Sequence, residues 1–439
     1  MHIRWHALPV RLGSRHSHSP RVTRLTVSQP TAVISVICGP MILAARPPGR
    51  IARGGLVRQA VLATMVVVTA AACGGPSEDS AESMSGPFLT LVPFGASHER
   101  EPIDLITLRN PNGIEIRLMT YGGTILSLKT PDRDGAFDDI VLGFDTAEPY
   151  FTRSPYFGAI IGRYGNRIAN ARFTLDGEPY VLSANDGQHH LHGGARGWDK
   201  VVWRNEPFQN AEGVGVVLRH TSPDGDQGYP GMVDATVTYW LRPDNALVID
   251  YEATTDTPTV VNLTHHSYFN LAGGRASDIL GHELTIAADR YTPADAALIP
   301  TGEIAPVEGT PFDFRTPVAI GARINEDHPQ LANGKGYDHN WVMGRVLEEP
   351  ALVARVVEPI TGRTLEVEST EPGLQFYSGN FLDGTITGKG GRVYGHRSGF
   401  CLEPQHYPDS PNQPAFPSPV LRPGKTYRSR TVLRFGADR

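Results

Sequence analysis

An all-β fold, one large β-sandwich following an N-terminal leader, is predicted by three features of this 439-residue sequence. Apolar and polar residues alternate with a period of two along several stretches, the signature of half-buried strands. The 47 Gly and 36 Pro exceed ordinary usage and favour many turns over long helices. No helical repeat and no strand–helix alternation emerges, which argues against a doubly wound or barrel α/β fold.

The leader comes first. Residues 1–73 contain nine Arg and no Lys, Asp or Glu. Arg58 precedes the apolar run from Ala60 to Ala72, the arrangement of an export signal. That run is shorter than the ~20 residues a membrane-spanning helix needs. Ala70-Ala71-Ala72-Cys73-Gly74 resembles a permissive lipobox, without the usual Leu at its first position. Cys73 is therefore expected to carry a lipid anchor, with plain secretion after the same alanines as the alternative. The protein is expected outside the cytoplasm, held to a membrane through Cys73 alone. A second apolar patch, Thr31 to Ala45, is broken by Pro40. The Arg-, His- and Pro-rich first forty residues resemble no folded element, and Met41 or Val57 is the expected start. Residues 74–87 read as a flexible polar tether.

The body, 88–439, reads as one domain with strands and turns in succession. Arg172 to Leu182 is a hairpin turning at Asp176-Gly177. Val233 to Leu241 alternates through Val233, Ala235, Val237, Tyr239 and Leu241. Ala246 to Thr255 does the same through Leu247, Ile249, Tyr251 and Ala253. Thr361-Gly362 marks another turn, and Tyr427 to Phe435 is the closing strand. All 46 Asp and Glu lie beyond residue 73, so the body is more acidic than the whole chain's −6. Such a surface repels phosphate backbones and excludes nucleic acid as a partner.

Negative results narrow the chemistry. The sequence has no G-x-S-x-G elbow, no C-x-x-C and no H-E-x-x-H. Pro423-Gly424-Lys425-Thr426 ends like a P-loop, but Pro419 occupies the position of its first Gly. No nucleotide or redox cofactor is implied. Cys401, in the apolar run Gly399 to Leu402, is expected to be a buried, inert thiol.

What remains are loops dense in hydrogen-bonding residues. They centre on Asn166 and Arg167, His189 to Gly194, Asn262 to Leu271, Gly336 to Asn340, Gly373 to Phe376, and Gly399 to Gln405. A bound sugar needs many fixed donors and acceptors beside apolar faces. Glu403 sits between Phe-Cys-Leu and Pro, where desolvation would raise its proton affinity and suit it to act as a base. Its ordinary alternative is a structural pairing with an Arg. His190 and His192 share a face if their segment is a strand, and with His265 or His266 they would form an imidazole metal site. No Asp or Cys completes a recognisable ligand spacing, so no metal is expected. His189, His265 and His339 read as structural histidines.

At these residues the sequence resembles the aldose 1-epimerase (galactose mutarotase) family. The similarity runs in matching order from about Phe94 to Phe435. Its most distinctive stretches are GRYGNRIANARFTLDG, LHGGARGWDKVVW, SPDGDQGYPG, NLTHHSYFNLAG, GYDHNWV, GLQFYSGNFLDG and GFCLEPQHYPDSPNQPAFPSPVLRPG. The resemblance implies a galactose mutarotase-like supersandwich and a cofactor-independent isomerase acting on a small sugar. It places the general base at Glu403 and the general acid at His266. Asn166, Arg167, His192, Asp338 and Gln375 fall on its substrate-binding positions, with Tyr268 lining the same pocket. His265 departs from the Asn that the family often has there, and is expected to face away from the chemistry. Two competing readings stand beside this one. One is a glycoside hydrolase or lyase using Glu403 and Asp338 as a carboxylate pair. The other is a tethered sugar-binding module. The sequence carries no signal for an oligomeric state.

Overall fold

The computed structural model describes residues 87–344 and 346–438. The expected leader, the tether up to residue 86 and Cys73 lie outside the described residues. The described part is almost wholly strand, with two short helices, Glu148–Thr152 and Pro329–Gly334.

Three large antiparallel sheets organise it. The first is a meander of five strands running from Phe88–Ala96 to Phe137–Asp139. The second has nine strands, and its centre is occupied by the chain's last strand. Tyr427–Ala437 pairs on one side with Ala246–Thr255 and on the other with Arg363–Ser369. The third carries the chemistry. Within it Gly373–Tyr377 lies between Asp338–Val342 and Cys401–Gln405. One hydrophobic core joins all three, with Ile116 and Leu118 from the meander, Val237, Ile249 and Val367 from the nine-stranded sheet, and Trp341 and Phe376 from the third. This is the sandwich expected from the alternation pattern.

The alternation is visible residue by residue. In Val233–Leu241 the apolar series is buried, while Asp234 is exposed and Thr236, Thr238 and Trp240 are half-buried. Ala246–Thr255 departs at its start, where Ala246 and Val248 are buried as well as Leu247 and Ile249. There Ala246, Val248 and Val432 form a small second cluster under Trp240, so both faces of the strand are covered. The hairpin forms as Arg172–Leu175 and Glu178–Val181 around Asp176-Gly177, whose positive φ angles a tight turn requires.

Burial leaves many histidines neutral. Desolvation lowers His190, His220, His266 and His282 to about 4, lowers His265 and His339 to about 3, and holds His192 well below its usual value. Between these values and the unfolded 6.5, each histidine binds fewer protons folded than unfolded. Their contribution to stability is therefore full above about pH 6.5 and is lost as pH falls toward 4. Glu403, Asp338, Asp199 and Asp409, raised chiefly by burial, act oppositely, but the histidines outnumber them. The thermal midpoint should drop as pH is taken from 6.5 to 4, which circular dichroism melts can follow. A flat midpoint would contradict this.

Candidate active site

Strand register brings the polar residues together. Gln375 stands directly opposite both Asn340 and Glu403 across the third sheet, and Asp338 lies opposite Tyr377. The Gln375 amide donates to Asp338 Oδ1 at 2.7 Å. Glu403 is 2% exposed, and its Oε2 has no hydrogen-bond partner among the described residues. Burial pushes the Glu403 carboxyl well above the usual range, the Asp338 charge raises it further, and Arg167 opposes both.

His266 comes to this carboxylate from a different part of the chain. The two-residue strand Thr264–His265 pairs with Ile160–Ile161, and the His266 N–H donates to Ala159 O at 2.9 Å. His266 Nε2 then lies 3.7 Å from Glu403 Oε1. Its neighbour His265 packs edge-on against Tyr239 of the nine-stranded sheet, with ring centroids 5.8 Å apart. On the other side of the His266 ring, Nδ1 lies 3.5 Å from Cys401 Sγ. Cys401 is fully buried and its thiol is pushed up by desolvation, the inert state expected of it.

Two glycine-rich loops supply the other wall. A Cβ on Gly193 would fall 1.8 Å from Gly162 O, so only glycine lets the LHGG and GRYGNR loops touch. Asn166, in a left-handed turn (φ 61°), is tied to His192 in both directions. The His192 N–H donates to Asn166 O at 3.0 Å, and the Asn166 N–H donates to His192 Nδ1 at 3.2 Å. Arg167 Nε donates to Asp186 Oδ2 at 2.8 Å. The rings of His192 and His266 are 5.0 Å apart, and Tyr268 stacks on His266 at 5.1 Å.

The sequence reading and the geometry differ over the paired histidines. The strand here is only His190–Leu191, and His192 has a positive φ of 49° that breaks the alternation. His190 turns instead toward the Tyr229 hydroxyl at 2.6 Å. Single donor atoms of His192, His266 and Glu403 do lie within 4.8 Å of one another. However, His192 Nδ1 accepts from Asn166, so the neutral ring carries its proton on Nε2. A hydrogen-bond donor, rather than a metal ligand, is what this leaves.

The family model described as aldose 1-epimerase matches residues 104–434. The chain belongs to the aldose 1-epimerase family. Galactose mutarotase of Rattus norvegicus is 49% identical over 322 residues, 73% of this chain and 91% of that protein. Aldose 1-epimerase of Escherichia coli is 43% identical over 340 residues, 77% of this chain and 96% of that protein. Among solved structures, galactose 1-epimerase from Lactobacillus acidophilus superposes with a TM-score of 0.70 at 27% identity, covering 81% of this chain and 100% of that one.

In this epimerase every residue mapped from the family motifs, namely Asn166, Arg167, His192, His266, Tyr268, Asp338, Gln375 and Glu403, belongs to the strands and loops just described. Sequence reasoning missed Tyr156, whose ring lies 4.6 Å from that of His192. It also missed Lys200, whose ammonium sits 5.0 Å above the Tyr156 ring. Tyr156 lies in no polar cluster, so residue pattern offered no signal for it, whereas Lys200 stands within the LHGGARGWDKVVW stretch that carries the family resemblance.

Proposed function

We propose that this protein interconverts the α and β anomers of free aldohexoses such as galactose or glucose, using Glu403 as base and His266 as acid. The observation that carries the reading is the 3.7 Å approach of a buried imidazole to a buried carboxylate with a free oxygen. Glu403 takes the proton of the C1 hydroxyl while His266 gives one to the ring oxygen. The C1–O5 bond breaks, C1 becomes an aldehyde and O5 a hydroxyl. Rotation about C1–C2 followed by the reverse transfers closes the ring on the other face.

The direction of both shifts suits this cycle. Burial raises the proton affinity of the Glu403 carboxyl, which makes it a stronger base, and lowers that of the His266 imidazole, which makes its protonated form a stronger acid. One base and one acid acting together are sufficient for the transfer. Arg167, His192, Asp338 and Gln375 would hold the sugar hydroxyls, with Asn166 fixing His192 and Tyr268 supplying an apolar face.

Polarimetry on fresh α-D-galactose tests the function, with rotation decaying faster than the spontaneous rate. Release of reducing ends from a disaccharide would point instead to hydrolysis. Binding without acceleration would point to a sugar-binding module. Export with a lipid anchor at Cys73 is part of the proposal and rests on the acid-free leader and the Ala-Ala-Ala-Cys-Gly stretch. Cys73→Ser should move the protein from the membrane to the soluble fraction, and unchanged membrane association would reject the anchor.

A further inference from the structure

We propose that Tyr156 is a positioning residue for His266, holding the imidazole from the side opposite Tyr268. This rests on reading His266 as the acid. The His266 ring is near-parallel to both tyrosines, at 5.1 Å and 19° from Tyr268 and at 5.7 Å and 24° from Tyr156. The two tyrosines make no ring contact with each other among the described residues, as expected if the imidazole lies between them.

Tyr156 is itself held in place at a cost. Its φ of 67° puts a bulky side chain in the left-handed region, a conformation that persists only where the surroundings impose it. Those surroundings are the His192 ring at 4.6 Å and the Lys200 ammonium at 5.0 Å. Lys200 is anchored in turn by Asp199 at 2.6 Å, a carboxylate that is 8% exposed. The helix before Tyr156, Glu148–Thr152, has ended, so local helix geometry does not account for its backbone.

The physical role follows from charge. A buried imidazole resists protonation, yet it must carry a proton to give one to the ring oxygen. The faces of aromatic rings are electron-rich and stabilise a cation lying against them. Tyr156 and Tyr268 offer two such faces. The other groups around His266 are Glu403 at 3.7 Å, the Cys401 thiol, and the neutral His192 and His265, with Arg167 and Lys200 as the nearby cations. Glu403 favours the imidazolium, as does a backbone hydrogen bond made by His266 itself, and the second ring face shares the task with them.

The test is the pH dependence of mutarotation in Tyr156→Leu and Tyr156→Phe, with wild type alongside. Losing one face makes the imidazolium give up its proton at lower pH. For Tyr156→Leu, kcat should fall about tenfold and the high-pH limb of kcat should move down by about one unit, with KM within about twofold. Tyr156→Phe keeps the ring and should keep all three values. Should the Leu variant fail to fold, Tyr156→Met removes the ring at similar volume and carries the same expectation. The proposal is overturned if the ring-free variant retains the wild-type limb and kcat. It is equally overturned if Phe loses as much as Leu, since the hydroxyl would then be the working part. A wild-type protein without rate enhancement would instead remove the underlying assignment of His266.

Discussion

Glu403→Gln should lower kcat for anomer interconversion by about 10³-fold or more, near the upper part of what a general base contributes. The change is nearly isosteric and removes only the capacity to take a proton. Sugar affinity, read by calorimetric titration, should stay within a few-fold. Stability should not suffer, because Glu403 is buried with one oxygen unpartnered. Its ionised form is costly in that setting, so a neutral amide is at least as well accommodated. A near-normal polarimetric rate in this variant would discard Glu403 as the base.

His266→Gln should cost about 10²- to 10³-fold in kcat. More informative is its combination with Glu403→Gln. If the two side chains act as one acid–base pair across 3.7 Å, removing either disables the transfer. The double variant should then be about as slow as the slower single one, the non-additivity expected of residues acting as a unit. Losses that multiply would mean two independent contributions and would break the paired mechanism.

Much of this was legible in the sequence, and for physical reasons. A strand with one face on a core must alternate, so Val233–Leu241 and the Asp176-Gly177 hairpin could be read directly. Ala246 and Val248 broke the pattern because a second cluster covers the far face, a property of packing rather than of local residue order. Glu403 stood out because apolar neighbours predict desolvation, and its raised carboxyl agrees. The order of strands was not legible. Nothing local indicates that Tyr427–Ala437 enters the middle of the nine-stranded sheet. For the same reason Tyr156 escaped notice. It reaches His266 only through the fold, from 110 positions earlier in the chain.

The sharpest test of ring opening by this pair is the fate of the anomeric oxygen. Galactose carrying ¹⁸O at C1 should be interconverted by the protein with the label retained through each turnover, because the bond broken is C1–O5. Exchange of that label with solvent water at the rate of anomer interconversion would mean that C1–O1 breaks instead, and the assignment of Glu403 to the C1 hydroxyl and His266 to the ring oxygen would fail.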